Sequence, residues 1–190
     1  MDGNEENKED VSEEIRQENR ELCERYPFLI PWNRWSGKLI TDCANGEDGY
    51  WTGNPTAHPK YNYEYTELDN MPDGWRKAFG IMMCEELRDE LIRVDDLDRW
   101  RILQLKEKYG MLRLYDNGHK ADSKIGDIIN KYEQISERRC IVCGKPATRV
   151  TTGWISPFCD ACCIACNEQN SITIDEWLGE INDGKDDTGH

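Results

Sequence analysis

The chain is poor in the residues and motifs that most enzymes rest on. It has only three histidines, His58, His119 and His190, in 190 residues. None has a second histidine at the one-turn spacing of a helical metal site. No HExxH, GxSxG or GKS/T segment occurs, which removes the common zinc-protease, serine-hydrolase and P-loop readings. Asp95, Asp96 and Asp98 read as a helix-end loop rather than a metal-nuclease site. The sequence therefore gives no support for turnover. No run of 18 apolar residues exists, so no membrane-spanning helix is expected. The first ten residues, MDGNEENKED, are acidic and polar, unlike a secretory signal. Cytoplasmic residence, in a reducing compartment, is the expectation.

Apolar residues are also scarce, at 37%, against 33% charged, and the net charge is −14. Much of this acidity sits at the ends. Residues 1–14 carry seven acids and one lysine, and residues 175–190 carry six acids and one lysine. Both read as solvated acidic tails, the first of them disordered. Between them the charge is segregated. Residues 15–98 hold ten basic and seventeen acidic residues, whereas residues 99–149 hold twelve basic and six acidic. Such halves either dock on one another or face different partners.

Cysteine is what the chain has in excess, with nine. Cys140 and Cys143 form CIVC, and Cys159 and Cys162 form CDAC, fifteen residues further on. Two CxxC pairs at this spacing predict one tetrahedral four-thiolate site for a single structural zinc; iron suits the same ligands. Gly144 suits the tight knuckle turn. Cys163 and Cys166 add a third pair. They read as one buried and one exposed thiol, with a six-cysteine, two-metal cluster as the alternative. Cys23, Cys43 and Cys84 read as small packed residues.

The remaining pattern predicts an α+β chain. A helix is expected over 11–25, with Val11, Ile15 and Leu22 on its buried face and Pro27 and Pro31 ending it. Residues 32–70 form an aromatic-rich loop, read either as packed on the core or as a binding surface. Within it, 61–67 (YNYEYTE) alternates like a strand, making Tyr61, Tyr63 and Tyr65 candidate binding residues. A long helix is expected from Asp73 as cap to Val94. A β-hairpin follows within 98–118, with KYG as its turn, MLRLY as its second strand and DNG as a second turn; Ile102, Gln104 and Lys106 face one way and Leu103 and Leu105 the other. A helix over 123–137 should be capped by Ser123 and bury Ile125, Ile128, Ile129, Tyr132 and Ile135. The core thus spans 15–137 and the zinc module 138–174. Within the module, ATRVTTGWISPFC suits a hairpin. The second cysteine pair opens a helix in a treble clef, or lies on a second hairpin in a zinc ribbon. ACCIACNEQ lacks a turn glycine, which favours the treble clef.

The stretches YPFLIPWNRW, YEYTELDNMPDGWRKAFG, QLKEKYGMLRLYDNG and CIVCGKPATRVTTGWISPFCDAC resemble a family of uncharacterised proteins encoded by bacteriophages and prophages, mainly of gut bacteria. The resemblance covers residues 25–163. It implies a phage origin, a bacterial host cytoplasm, and CDAC as the second ligand pair. The segment DCANGEDGYWTGNPTAHPK and the cysteines Cys163 and Cys166 depart from the pattern. Small phage proteins commonly bind, redirect or block host enzymes and defence complexes. The expected function is accordingly binding to a host or phage protein, with no membrane partner. The alternative is nucleic-acid binding through the basic hairpin 99–113 and the knuckles. There Arg113 and Arg149 would contact phosphates and Trp154 would stack a base.

Overall fold

The computed structural model describes residues 11–33, 38–39 and 62–183. Expectations for the first ten residues, Cys43, His58, Tyr61, His190 and most of the aromatic-rich loop fall outside the described residues.

Helix α1 spans Glu13–Arg25. It starts two residues later than expected because Ser12 is its cap, its hydroxyl accepting from the Ile15 amide. Its buried face matches the expected one only in part: Leu22 packs against the core. Ile15 is exposed, and Arg16, Asn19 and Cys23 are buried instead. The two polar side chains are satisfied across the interface. Arg16 pairs with Glu64 at 3.0 Å, and the Asn19 amide donates to the Tyr63 carbonyl at 2.8 Å. Hydrophobic periodicity cannot register a helix that docks through hydrogen bonds.

The alternation in 61–67 does not yield a strand among the described residues. Tyr63 takes a left-handed backbone, φ 64°, which breaks the pleat. Tyr63 instead lies under the Arg20 guanidinium, and Tyr65 is exposed. A capping box between Thr66 and Asp69 then starts a 3-10 turn at Glu67–Asn70. Two short strands, β1 (Trp32–Asn33) and β2 (Lys38–Leu39), pair antiparallel.

The long helix has three parts: α2 (Asp73–Trp75), a π-helical turn (Arg76–Gly80) and α3 (Ile81–Arg93). Trp75, Phe79, Met83, Leu87 and Leu91 are all buried, each four residues after the last. A strict step of four drifts by about 40° per step around an α-helix. The wide turn at 76–80 offsets part of that drift and keeps the row on the core.

Strands β3 (Ile102–Lys108) and β4 (Met111–Asp116) form the expected hairpin, closed by Tyr109 and Gly110 with φ of 55° and 75°. A register shift between Ile102 and Gln104 changes the expected facing, so that Ile102 and Leu105 are both buried. Helix α4 (Ile125–Glu137) lies against β4 and supplies partners for that edge strand. Ser136 Oγ accepts from the Leu112 amide at 2.8 Å, and Glu133 from the Leu114 amide at 3.2 Å. Ser123 does not cap α4; its hydroxyl is buried without a hydrogen bond. The cap comes from α3, where Glu90 accepts from the Lys124 amide at 2.6 Å while both its oxygens bind Arg93.

The core gathers Tyr26, Phe28, Trp75, Met83, Leu87, Trp100, Leu112 and Tyr132 around α3, α4 and the hairpin. C-terminal to it, β5 (Arg149–Thr151) is flanked by β6 (Pro157–Phe158) and β7 (Ser171–Thr173), both antiparallel. Helix α5 (Asp160–Ala165) follows β6, and helix α6 (Ile174–Asp183) follows β7. The expected acidic tail from 175 is therefore helical through Asp183. Thr173 and Glu176 bond reciprocally at its start, and Ile174 donates to the Thr148 carbonyl. Charge count alone hid this cap and the half-buried Trp177 and Leu178.

Candidate metal centre

Cys140 to Gly144 forms a knuckle. The Gly144 amide donates to the Cys140 carbonyl at 2.9 Å, and Gly144 has φ +78°, a conformation that suits glycine. The knuckle closes on itself and is seated on β6. The Cys140 amide donates to Lys145, and Ile141 donates to Pro157 of β6. Cys159 directly follows β6 and is the residue before α5, so Cys162 follows on the first turn of that helix. A knuckle, a hairpin, and a helix opening on the second pair make the treble-clef-like arrangement.

The four Sγ atoms of Cys140, Cys143, Cys159 and Cys162 lie within 4.8 Å of one another. Cys143 and Cys159 are 3.6 Å apart. A tetrahedron with metal–sulfur bonds of about 2.3 Å has edges of about 3.8 Å, so the cluster fits one ion. Cys140 and Cys159 are buried, whereas Cys143 and Cys162 are half-buried. Burial raises the Cys140 thiol, but the backbone N–H groups of Cys159, Cys143 and Val142 outweigh it and bring its pKa down to about 7. The Cys162 thiol moves the other way, pushed up by its hydrogen bond to Cys143, by burial, and by Cys159 and Cys140. Four crowded thiols resist joint ionisation; a dication among them removes that repulsion.

Cys163 and Cys166 are not in this cluster. Cys163 is buried and donates to the Glu168 carbonyl at 3.3 Å, and Cys166 is exposed. Cys23 and Cys84 lie in the core, where burial and the neighbouring Glu85 raise Cys84 to about 12.

The basic candidates are held by the protein itself. Arg113 pairs with Glu133 at 2.9 Å, and Arg149 donates to the Ser171 hydroxyl and carbonyl at 2.8 and 2.9 Å. Arg99 binds both oxygens of Asp96. Arg101 donates to the carbonyls of Leu97, Asp98 and Trp100. Lys106 and Lys108 lie over the rings of Tyr115 and Tyr109. The opposed charges of the two halves are thus engaged with each other in part.

One pairing was not expected from the sequence. His119 Nδ1 lies 2.9 Å from Asp116 Oδ2 across the DNG turn, and Asp116 also accepts from Trp100 Nε1 at 2.8 Å. Burial raises the Asp116 carboxyl, but hydrogen bonds from His119, Trp100 and the Gly118 amide leave it below its usual range. The pair fastens the turn to the core.

Trp154 and Ile164 are the two most exposed large apolar side chains among the described residues, at 79% and 80%. Both belong to the metal module. No helix among the described residues is long and apolar enough to cross a membrane. No protein-family model, no curated protein and no solved structure matches this chain. Fold and site together define an α+β protein with a C-terminal four-cysteine metal module.

Proposed function

We propose that this chain is a zinc-containing protein of phage origin that binds another protein, a host factor in a bacterial cytoplasm, and does so through its metal module. The observation that carries the reading is the exposure of Trp154 and Ile164 on a braced scaffold. Thr151 Oγ1 donates to the Trp154 carbonyl and accepts from the Ser156 amide, so the turn beneath Trp154 is fixed. Large apolar side chains held in water by a rigid turn are the usual anchors of protein interfaces. Zinc is the metal that four thiolates at this spacing suit best, and a full set of four protein ligands gives it a structural role. The phage origin and host partner follow from the sequence resemblance.

Nucleic-acid binding is the second reading. Exposed Arg138 and Lys145 beside the knuckle favour it. The internal pairing of Arg99, Arg113 and Arg149 and the net charge of −14 oppose it.

The test uses the purified chain and its Trp154→Ala/Ile164→Asp variant as baits in a bacterial lysate, with parallel anisotropy titrations of DNA and RNA at two salt concentrations. A protein retained by the chain and lost by the variant is the expected result. Nucleic-acid binding should be weak and fall steeply with salt. Tight, salt-tolerant binding to DNA or RNA that disappears in Arg149→Ala would establish the second reading instead.

A further inference from the structure

Two grooves meet on the exposed side of the metal module, sharing Asn167, Glu168 and Gln169. The first, about 370 Å³, is walled by Trp154 and Asn170. The second, about 470 Å³, is walled by Ile164, Asp160 and Arg149. The two walls of the first are tied together, since the Thr152 amide donates to the Asn170 carbonyl at 2.9 Å. The loop between α5 and β7 is fixed in turn. Cys163 donates to the Glu168 carbonyl, Glu168 donates to the Cys163 carbonyl, and Asn167 holds a left-handed φ of 57°. The surface is thus preformed rather than a mobile loop.

Its lining holds two acids, Asp160 and Glu168, and the surrounding sequence is acidic. Residues 150–183 contain six acids, Asp160, Glu168, Asp175, Glu176, Glu180 and Asp183, and no lysine or arginine. Among the described residues, the one cation lining either groove is Arg149, which is half-buried and tied to Ser171. Asp160 and Glu168 are exposed on the grooves, and neither carboxylate pairs with a cation of the described residues. A face with a flat indole, an aliphatic anchor and two unneutralised carboxylates is complementary to a cationic, partly apolar chain.

We infer that this double groove receives a basic peptide segment of the partner protein, with an arginine or lysine over Trp154 beside Glu168 and an apolar side chain against Ile164. This rests on the protein-binding reading above and narrows it to one surface and one partner chemistry. A polyanion such as nucleic acid is disfavoured here, because among the described residues no basic side chain lines either groove besides the engaged Arg149.

The experiment measures fluorescence anisotropy of a labelled twelve-residue peptide alternating arginine and leucine, against the full metal-loaded chain. A matched peptide with glutamate for arginine and a labelled single-stranded oligonucleotide are the controls. The arginine peptide should bind, and Trp154→Ala, Ile164→Asp and Glu168→Gln should each weaken it about tenfold or more. Asp89→Asn removes an equal charge from an exposed site on α3 and should change little; Tyr109→Ala removes an exposed aromatic of the hairpin and should also change little. Metal content of each variant checks that the module is intact. The inference is overturned if Asp89→Asn weakens binding as much as Glu168→Gln, since net charge alone then accounts for it. It is overturned equally if Trp154→Ala binds unchanged, if the glutamate peptide binds as well, or if the oligonucleotide competes at the same site. A lysate partner that still depends on Trp154 but touches it through a neutral or acidic segment would overturn this inference while leaving the protein-binding reading in place.

Discussion

Gly74 and Gly144 stand backbone to backbone. A Cβ on Gly144 would lie 2.4 Å from the Gly74 carbonyl oxygen, and a Cβ on Gly74 would lie 2.2 Å from the Cys140 carbonyl oxygen. The first turn of the long helix thereby seats directly on the first metal knuckle. The Gly74 amide donates to the Ile141 carbonyl at 2.9 Å, and the Trp75 indole N–H donates to the Arg139 carbonyl at 2.9 Å. Helix N-terminal amides need partners, and here the knuckle backbone provides one. Because the blocking atoms are backbone, neither glycine can gain a methyl without moving the knuckle. Gly74→Ala should destabilise the fold by about 1–3 kcal/mol or more and weaken metal retention in the same variant. Gly144→Ala should do likewise, with added strain from its positive φ. Thermal melts and chelator competition on the two variants check this; unchanged metal affinity in both would show the contact to be incidental.

The metal centre predicts a sharp division among the cysteines. Cys143→Ser should remove the bound ion and loosen residues 138–183, because the four sulfurs act as one ligand set. Cys166→Ser should leave the ratio of one metal per chain unchanged, since that thiol points to solvent outside the cluster. Cys163→Ser should also keep the metal, at some cost in stability from its buried contact with Glu168. Elemental analysis of the three variants measures this. A fall in the ratio for Cys163→Ser or Cys166→Ser would point to a larger cluster.

How much of this was legible depended on whether a feature is local in sequence. The CxxC pairs, the hairpin turn at Tyr109–Gly110 and the α4 apolar row are local, and they lie where their spacing puts them; the α3 row does so except that Met83, not Met82, is buried. Features settled by a distant partner were misread. Ser123 has good cap chemistry, but Glu90, thirty-four residues before Lys124, takes the cap. Asp73 also looked like a cap, yet it is the first residue of α2, and the Gly74 amide finds its acceptor in the knuckle. Ile15 looked buried, but α1 docks through Arg16 and Asn19 onto 62–64. The site surface was half visible: Trp154 stood out as an aromatic, but Ile164 and the grooves holding Asp160 and Glu168 needed the fold to come together.

Glu90 gives the fold a pH dependence of definite sign. Its side-chain bonds to Arg93, then the Lys124 amide, lower its pKa to about 2, against the small opposing effect of burial. A depressed carboxylate contributes stability that is fully present above its unfolded value, near 4.3. That contribution is lost as pH falls from there through about 2. Glu90→Gln should therefore be less stable than the parent at neutral pH, and the gap should close between pH 4 and pH 2. Metal release in acid affects both chains alike, so the difference between their urea midpoints isolates Glu90. A gap that stays constant through this window would show that Glu90 acts by shape alone.

The last prediction concerns how α4 holds the hairpin. Leu112 is buried in β4, and its amide has its partner in a side chain, Ser136 Oγ, rather than in another strand. Ser136 is itself fully buried and donates onward to the Glu133 carbonyl. Two residues along the strand, the Leu114 amide is taken by Glu133, which also binds Arg113. The helix thus does for β4 what a third strand would do, closing an edge that would otherwise be open to pairing with another chain. Ser136→Ala should strand the Leu112 N–H without water or partner, at a cost of about 1–3 kcal/mol. Glu133→Gln keeps an acceptor for Leu114 but gives up the charge pair with the partly exposed Arg113, so its effect should be smaller. Hydrogen exchange at Leu112 is the direct measurement. Its amide should exchange markedly faster in Ser136→Ala, while Lys106, which pairs with Arg113 across the hairpin, keeps its protection. Equal protection of Leu112 in parent and variant would mean that another group covers the strand edge.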